Sequence, residues 1–201
     1  MMGGVRMAQI TPEQTTKAIH PVLGIMGGLG PAASCYLYQM ITDHTPAQKD
    51  QDHIDIVISS RASTPDRTAF IVGKSKDDPF DVMEQDGISL VRYGATVLAI
   101  ACNTAHYFLP RLQAMTKLPF ISMLEATAKT CAAQYPGRTA AVLATKGTLA
   151  TGLYEQALAA QNVRCLIPDA GEQDVLMHLI YDIVKASRPC LLYTSPSPRD
   201  A

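Results

Sequence analysis

Val22-Leu23-Gly24-Ile25-Met26-Gly27-Gly28-Leu29-Gly30-Pro31 sets an apolar run directly against a glycine-rich turn and a proline. Residues 22–26 predict a strand, and the glycines turn the chain. Pro31 suits the first position of a helix, where its missing N–H costs no hydrogen bond. That helix runs on through Tyr36, Leu37, Met40 and Ile41. The alternation then continues. Strands are predicted at 53–59, 96–101, 119–123, 139–144 and, more weakly, 163–167. Helical patterns cover 81–93 (closed by Gly94 as a C-terminal cap), 124–134, 149–161 and 172–186. Strands this apolar, separated by amphipathic helices, predict an α/β fold with parallel sheets flanked by helices on both faces.

The 201 residues are 47% apolar, enough to bury a real core in one large domain or two small lobes. The net charge is -1 and no run of Lys or Arg stands out, so nucleic acid and anionic membrane surfaces are not expected partners. No apolar run approaches the length of a membrane span. The five cysteines, Cys35, Cys102, Cys131, Cys165 and Cys190, are odd in number. They are too far apart for a disulfide framework or a C-x-x-C pair, which points to a reducing cytoplasm. Residues 1–19 read as a polar, disordered lead-in. Residues 189–201 lose all periodicity and carry two Ser-Pro steps; they read as a non-native tail left by a vector or adapter.

In open α/β sheets, ligands collect beyond the carboxyl ends of the strands. Those ends carry Gly27-Gly28-Leu29-Gly30, Ser59-Ser60-Arg61, Cys102-Asn103-Thr104-Ala105-His106 and Thr145-Lys146-Gly147-Thr148. The glycine turn matches neither the dinucleotide fingerprint nor the Walker pattern. It suits an anion at a helix N-terminus, or a tight connection and nothing more. Cys102 ends a strand and precedes residues able to start a helix, a setting that favours a thiolate able to act as base or nucleophile. A buried structural cysteine is the plainer reading, and it is the one given to Cys35, Cys131 and Cys165. Cys102 and His106 have the spacing of a metal pair, but two ligands make no site and no companion cluster exists. Asn103 and Thr104 offer donors suited to a carboxylate, or an N-cap and its neighbour. Arg67 is a bidentate carboxylate binder by chemistry, or a surface arginine paired with Asp66.

Five segments occur in order: Gly24-Ile25-Met26-Gly27-Gly28-Leu29-Gly30-Pro31, Pro65-Asp66-Arg67-Thr68, Ala101-Cys102-Asn103-Thr104-Ala105-His106, Pro119-Phe120-Ile121-Ser122-Met123-Leu124-Glu125 and Leu143-Ala144-Thr145-Lys146-Gly147-Thr148. Together they resemble the aspartate/glutamate racemase family, closest to its aspartate-racemase branch, over roughly residues 22–185. The resemblance implies two similar α/β lobes, 20–118 and 119–188, with the active site in the cleft between them and a homodimer as the assembly. It implies a cofactor-independent reaction on a free amino acid. One cysteine removes the α-proton from one face, and a second delivers a proton to the other. Cys102 would be the first of these. Asn103, Thr104 and Arg67 would hold substrate carboxylates, and Thr145 and Thr148 would line the cleft. Lys185, in Ile180-Tyr181-Asp182-Ile183-Val184-Lys185, would face the site.

The family's second cysteine belongs to a late Gly-Cys-Thr-Glu segment that does not occur here. Cys190, between Pro189 and Leu191, does not match it and reads as part of the foreign tail. The expectation is a second lobe lacking its closing segment, and racemisation impaired by loss of the second thiol. Two other functions fit the same residues. One is an isomerase or decarboxylase acting through Cys102 on a dicarboxylic acid; the other is a homologue that binds a dicarboxylate without turning it over.

Overall fold

The computed structural model describes residues 20–186. The lead-in 1–19 and the tail 189–201 with Cys190 lie outside the described residues. Strand β1 (Val22–Gly27) leads through the glycine turn into helix α1 (Pro31–His44), with Pro31 in its first turn. Strand β2 (Asp55–Ser60) follows, then a short helix α2 (Arg67–Ile71), helix α3 (Phe80–Arg92) and strand β3 (Val97–Ile100). A 3-10 turn, Thr104–Phe108, runs into helix α4 (Leu109–Thr116), and strand β4 (Phe120–Ile121) closes the sheet. The four strands lie in the order β2-β1-β3-β4, all parallel.

The pleat of β1 explains why its run is apolar without interruption. Leu23 and Ile25 face one side, where Leu37 and Ile41 of α1 pack on them. Met26 faces the other side, in a core with Phe80, Met83 and Leu90 of α3 and with Phe108 and Leu112. Met83 and Leu112 are wholly buried, each contributing about 1.5–3 kcal/mol. Parallel strands buried on both faces need apolar residues at every position.

The second sheet is smaller. Helix α5 (Met123–Gln134) precedes strand β5 (Thr139–Ala141), helix α6 (Lys146–Ala150) and helix α7 (Leu153–Ala159). Strand β6 (Arg164–Leu166) pairs in parallel with β5, and helix α8 (Ala170–His178) continues into a π-helical turn, Leu179–Val184. Ala128, Val142, Ala144 and Leu158 form its core. Among the described residues this sheet has only two strands, so both outer edges are unpaired. Two open clefts flank the β5 side, one of about 370 Å³ against α8 and one of about 210 Å³ against α5 and α7; both are lined by Ala141 and Leu143.

The α/β class with parallel sheets is as predicted, while several boundaries differ. The single helix expected at 149–161 is two helices, because Gly152 takes a left-handed φ of 63° and restarts the chain. The helix expected at 172–186 gives way to π-helical geometry after His178. Helices α2 and α4 lie in stretches with no helical prediction. Each is a short segment, α4 begun by Leu109-Pro110 and ended by Lys117 at φ 59°.

Candidate functional site

Because β1, β2 and β3 run in parallel register, Gly27, Ser60 and Ile100 end at one side of the sheet. The loops beyond them carry the chemistry. Cys102 follows β3 directly and is half-buried against the first core. Its carbonyl bonds Nδ1 of His106 at 2.9 Å, while Nε2 of the same ring accepts the Met123 N–H at 3.2 Å. A carbonyl only accepts and an amide N–H only donates, so the imidazole is neutral with its proton on Nδ1. Both ring nitrogens are therefore engaged, which leaves no Cys102–His106 metal pair. Among the described residues no group of three His, Cys, Asp or Glu side chains could hold a metal.

His106 also makes the structure acid-sensitive. Burial lowers its pKa below 6.5, outweighing the two carbonyls, of Cys102 and Asn103, that favour the charged ring. With the folded value below the unfolded one, the stabilisation is present above about pH 6.5 and is lost as pH falls through the folded value. The other four histidines are exposed. Melting temperature is thus expected to drop between pH 7 and pH 5, with the drop much reduced in His106→Gln; an equal slope in the two proteins would exclude His106 as its source.

The predicted threonines come together. Thr104 Oγ1 lies 2.7 Å from Thr148 Oγ1 and 3.1 Å from Thr145 Oγ1, and Thr145 and Thr148 are 3.1 Å apart. Thr68 of α2, which the sequence reading passed over, donates to Thr145 at 3.1 Å. All four hydroxyls are buried, and they join the end of β3 to the loop after β5. Gly147 permits this approach, because a Cβ there would stand 2.7 Å from Thr68 Cα. Thr145 also caps α6, its side chain accepting the Thr148 N–H.

Asn103 is exposed beside this cluster, and its Oδ1 accepts the Tyr154 hydroxyl at 2.8 Å. Arg67 is buried, not on the surface. Nη1 donates to the carbonyls of Thr64 and Pro65, and Nη2 donates to that of Leu29 at 2.6 Å. The guanidinium therefore ties α2 to the glycine turn after β1. Its Nε–H is buried with no partner, and one Nη2–H is also free.

Lys185 pairs with Asp66 rather than with the threonines. Its Nζ lies 3.7 Å from Asp66 Oδ2 and 4.0 Å from the centre of the Tyr181 ring. Asp66 caps α2 through the Ala69 N–H and accepts the Tyr181 hydroxyl at 3.0 Å. Burial raises the Asp66 pKa, but the Ala69 N–H, Lys185, Tyr181 and Arg67 together hold it below the usual carboxylate value. Asp66, Thr68, Tyr154 and Tyr181 were missed for one reason. Their partners lie far along the chain (Thr68 to Thr145, Asn103 to Tyr154, Asp66 to Tyr181) and no local pattern marks them. Asp66, Thr68 and Tyr181 did fall inside quoted motifs, which was the available signal.

A parallel sheet thus carries cysteine, asparagine and threonine beyond one strand end, and they meet the threonines that begin α6. The model of the Asp/Glu/hydantoin racemase family matches residues 26–190, and the chain belongs to this family of racemases. The broad-specificity amino-acid racemase RacX of Bacillus subtilis (strain 168) is 26% identical over 162 residues, covering 77% of this chain and 67% of RacX. The structure of Picrophilus torridus aspartate racemase is 29% identical with a TM-score of 0.73, covering 83% of this chain and 68% of that one. Glutamate racemase from Aquifex pyrophilus, 20% identical with a TM-score of 0.57, covers 73% of this chain and 54% of its own and shares the fold. No helix among the described residues is long and apolar enough to cross a membrane.

Proposed function

We propose that this protein moves the α-proton of a free acidic amino acid, aspartate or glutamate, without a cofactor, and that Cys102 is the thiol on one face of the substrate. The observation that carries this reading is the seam itself. Cys102, Asn103 and Thr104 leave β3 side by side, and Thr104 is bonded to Thr145 and Thr148 at the start of α6. A carboxylate laid along that seam meets amide and hydroxyl donors next to the thiol. The name of RacX supports an amino acid as substrate, and that of the Picrophilus enzyme supports aspartate. An amino-acid α-proton is weakly acidic and a thiolate is a modest base for it. Positioning and carboxylate-binding charge therefore supply much of the rate.

Arg67 and Lys185 are the cations of this reading. The two free N–H groups of Arg67, one of them the buried Nε–H, suit a second carboxylate, which would favour aspartate over a neutral amino acid. Lys185, held by Asp66, adds positive charge nearby. The lobes divide at residues 118 and 119, and a second copy of the chain is the partner. Cys35, Cys102, Cys131 and Cys165 are free thiols, which supports a reducing, cytoplasmic setting. Two-face transfer needs a second thiol. Among the described residues Cys131 and Cys165 pack against the second core and Cys35 lies exposed on α1.

The test is α-proton exchange in heavy water, followed by NMR, with each enantiomer of aspartate and of glutamate. The expected result is exchange of one enantiomer of an acidic amino acid with retention of configuration. Turnover of malate-like or malonate-like acids, with amino acids left untouched, would replace this reading by dicarboxylate chemistry. A folded protein that binds a dicarboxylate and exchanges nothing would make it a binding homologue.

A further inference from the structure

We infer that Tyr154 is a positioning residue for Asn103, fixing which end of the Asn103 amide faces the substrate carboxylate. This rests on the reading of Asn103 as a carboxylate donor.

The argument begins with the symmetry of an amide side chain. Its oxygen and its NH₂ have almost the same shape, so an exposed asparagine can present either, and only one of them suits an anion. Asn103 is exposed, follows β3 and precedes the 3-10 turn, and has no capping bond of its own. Nothing in its local chain therefore chooses the orientation. The orientation observed is the one in which the Tyr154 hydroxyl of α7, fifty-one residues later, donates to Asn103 Oδ1 at 2.8 Å. With the oxygen held by a donor, the NH₂ is turned away from Tyr154, and both its N–H groups remain for a carboxylate.

Tyr154 is suited to this. Its ring is half-buried beside the second core, where it packs with Leu158, Ala128 and Val142. Burial raises the phenol pKa against a lowering contribution from Thr127, so the hydroxyl keeps the proton that it gives to Asn103 Oδ1. An oriented donor also avoids the entropy of fixing the amide at the moment of binding. Cys131 lines the same cleft as Tyr154 and Asn103, but its thiol makes no bond there and is not needed.

The experiment measures aspartate affinity and melting temperature for the parent, Tyr154→Phe, Asn103→Ala and the double variant. It adds NMR relaxation of the Asn103 side-chain NH₂ in the unliganded parent and in Tyr154→Phe. Removing one neutral hydrogen bond is expected to weaken binding about five- to tenfold. Tyr154→Phe should do this with melting unchanged, Asn103→Ala should weaken it at least as much, and the double variant should bind like Asn103→Ala alone. The Asn103 NH₂ should become mobile in Tyr154→Phe. If Asn103→Ala weakens binding while Tyr154→Phe does not, the inference is wrong and the carboxylate reading stands. If Asn103→Ala binds like the parent, the carboxylate reading itself fails. An equally rigid Asn103 NH₂ in Tyr154→Phe overturns the positioning role whatever the affinity shows.

Discussion

Cys102→Ser is expected to lower α-proton exchange by about 10³-fold or more while leaving aspartate affinity and melting temperature as they were. A serine hydroxyl occupies nearly the same volume but is a far weaker acid, so almost none of it is present as the anion that takes a carbon-bound proton. The fold should tolerate the exchange. The contact that Cys102 makes with His106 uses its backbone carbonyl, which serine retains. The thiol is half-buried, and losing its packing costs little beside the loss of the base. Exchange, affinity and melting measured on the same preparations separate the effects. Parent-like exchange in Cys102→Ser would remove this residue from the mechanism, whereas lost affinity would make it a binding group instead.

The second large effect concerns folding. Gly28 has a φ of 77°, and a Cβ placed on it would stand 2.2 Å from the Arg61 nitrogen and 2.7 Å from the Ser60 carbonyl carbon. These are backbone atoms at the end of β2, and they can move only by dragging Arg61. Arg61 in turn holds the buried Asp86 at 2.8 Å. A left-handed alanine costs about 1–2 kcal/mol, and overlap in a packed site adds about 1–3 kcal/mol. Against a typical stability of about 5–15 kcal/mol, Gly28→Ala should shift the denaturation midpoint far down. Gly30→Ala is the natural control, because its Cβ would meet only Ala33 at 3.9 Å and its φ is extended. Matching midpoints for the two variants would mean that the turn relaxes, and that its close approach to Arg61 is not required.

The first lobe was legible because its signals are local. The run Val22 to Met26, Pro31 after the glycines and Gly94 after α3 each state a conformation within a few residues. The strands ending in Gly27, Ser60 and Ile100 then bring the loops of the candidate site side by side. The second lobe was harder to read, for a physical reason. Its strands are three residues long, too short for a periodicity to assert itself, and Gly152 interrupts a helix that otherwise reads as continuous. At the site, Thr104, Thr145 and Thr148 were named individually. That they hydrogen-bond to one another in one cluster depends on how the two halves of the chain meet, and no short stretch of chain encodes it. Arg67 shows the opposite limit. Its chemistry was evident, but its burial under three carbonyls follows from the path of the loops around it.

The thin β5–β6 ribbon governs more than the outline of the second lobe. Thr145 and Thr148 are supplied to the site by the segment that leaves β5, and Tyr154 follows one turn later. The ribbon has few backbone bonds to break, and Leu143, 69% exposed, contributes little burial to hold it. Its amides should therefore lose protection against hydrogen exchange well before those of β1 and β3. Each such opening would withdraw Thr145 and Thr148 from the proposed site, while Cys102 stays in place beside the larger sheet. The apparent affinity is then the intrinsic one scaled by the population in which the ribbon is formed. Any partner surface or further strand that settles on the edge of β5 left unpaired among the described residues would tighten binding at the proposed site without touching the ligand.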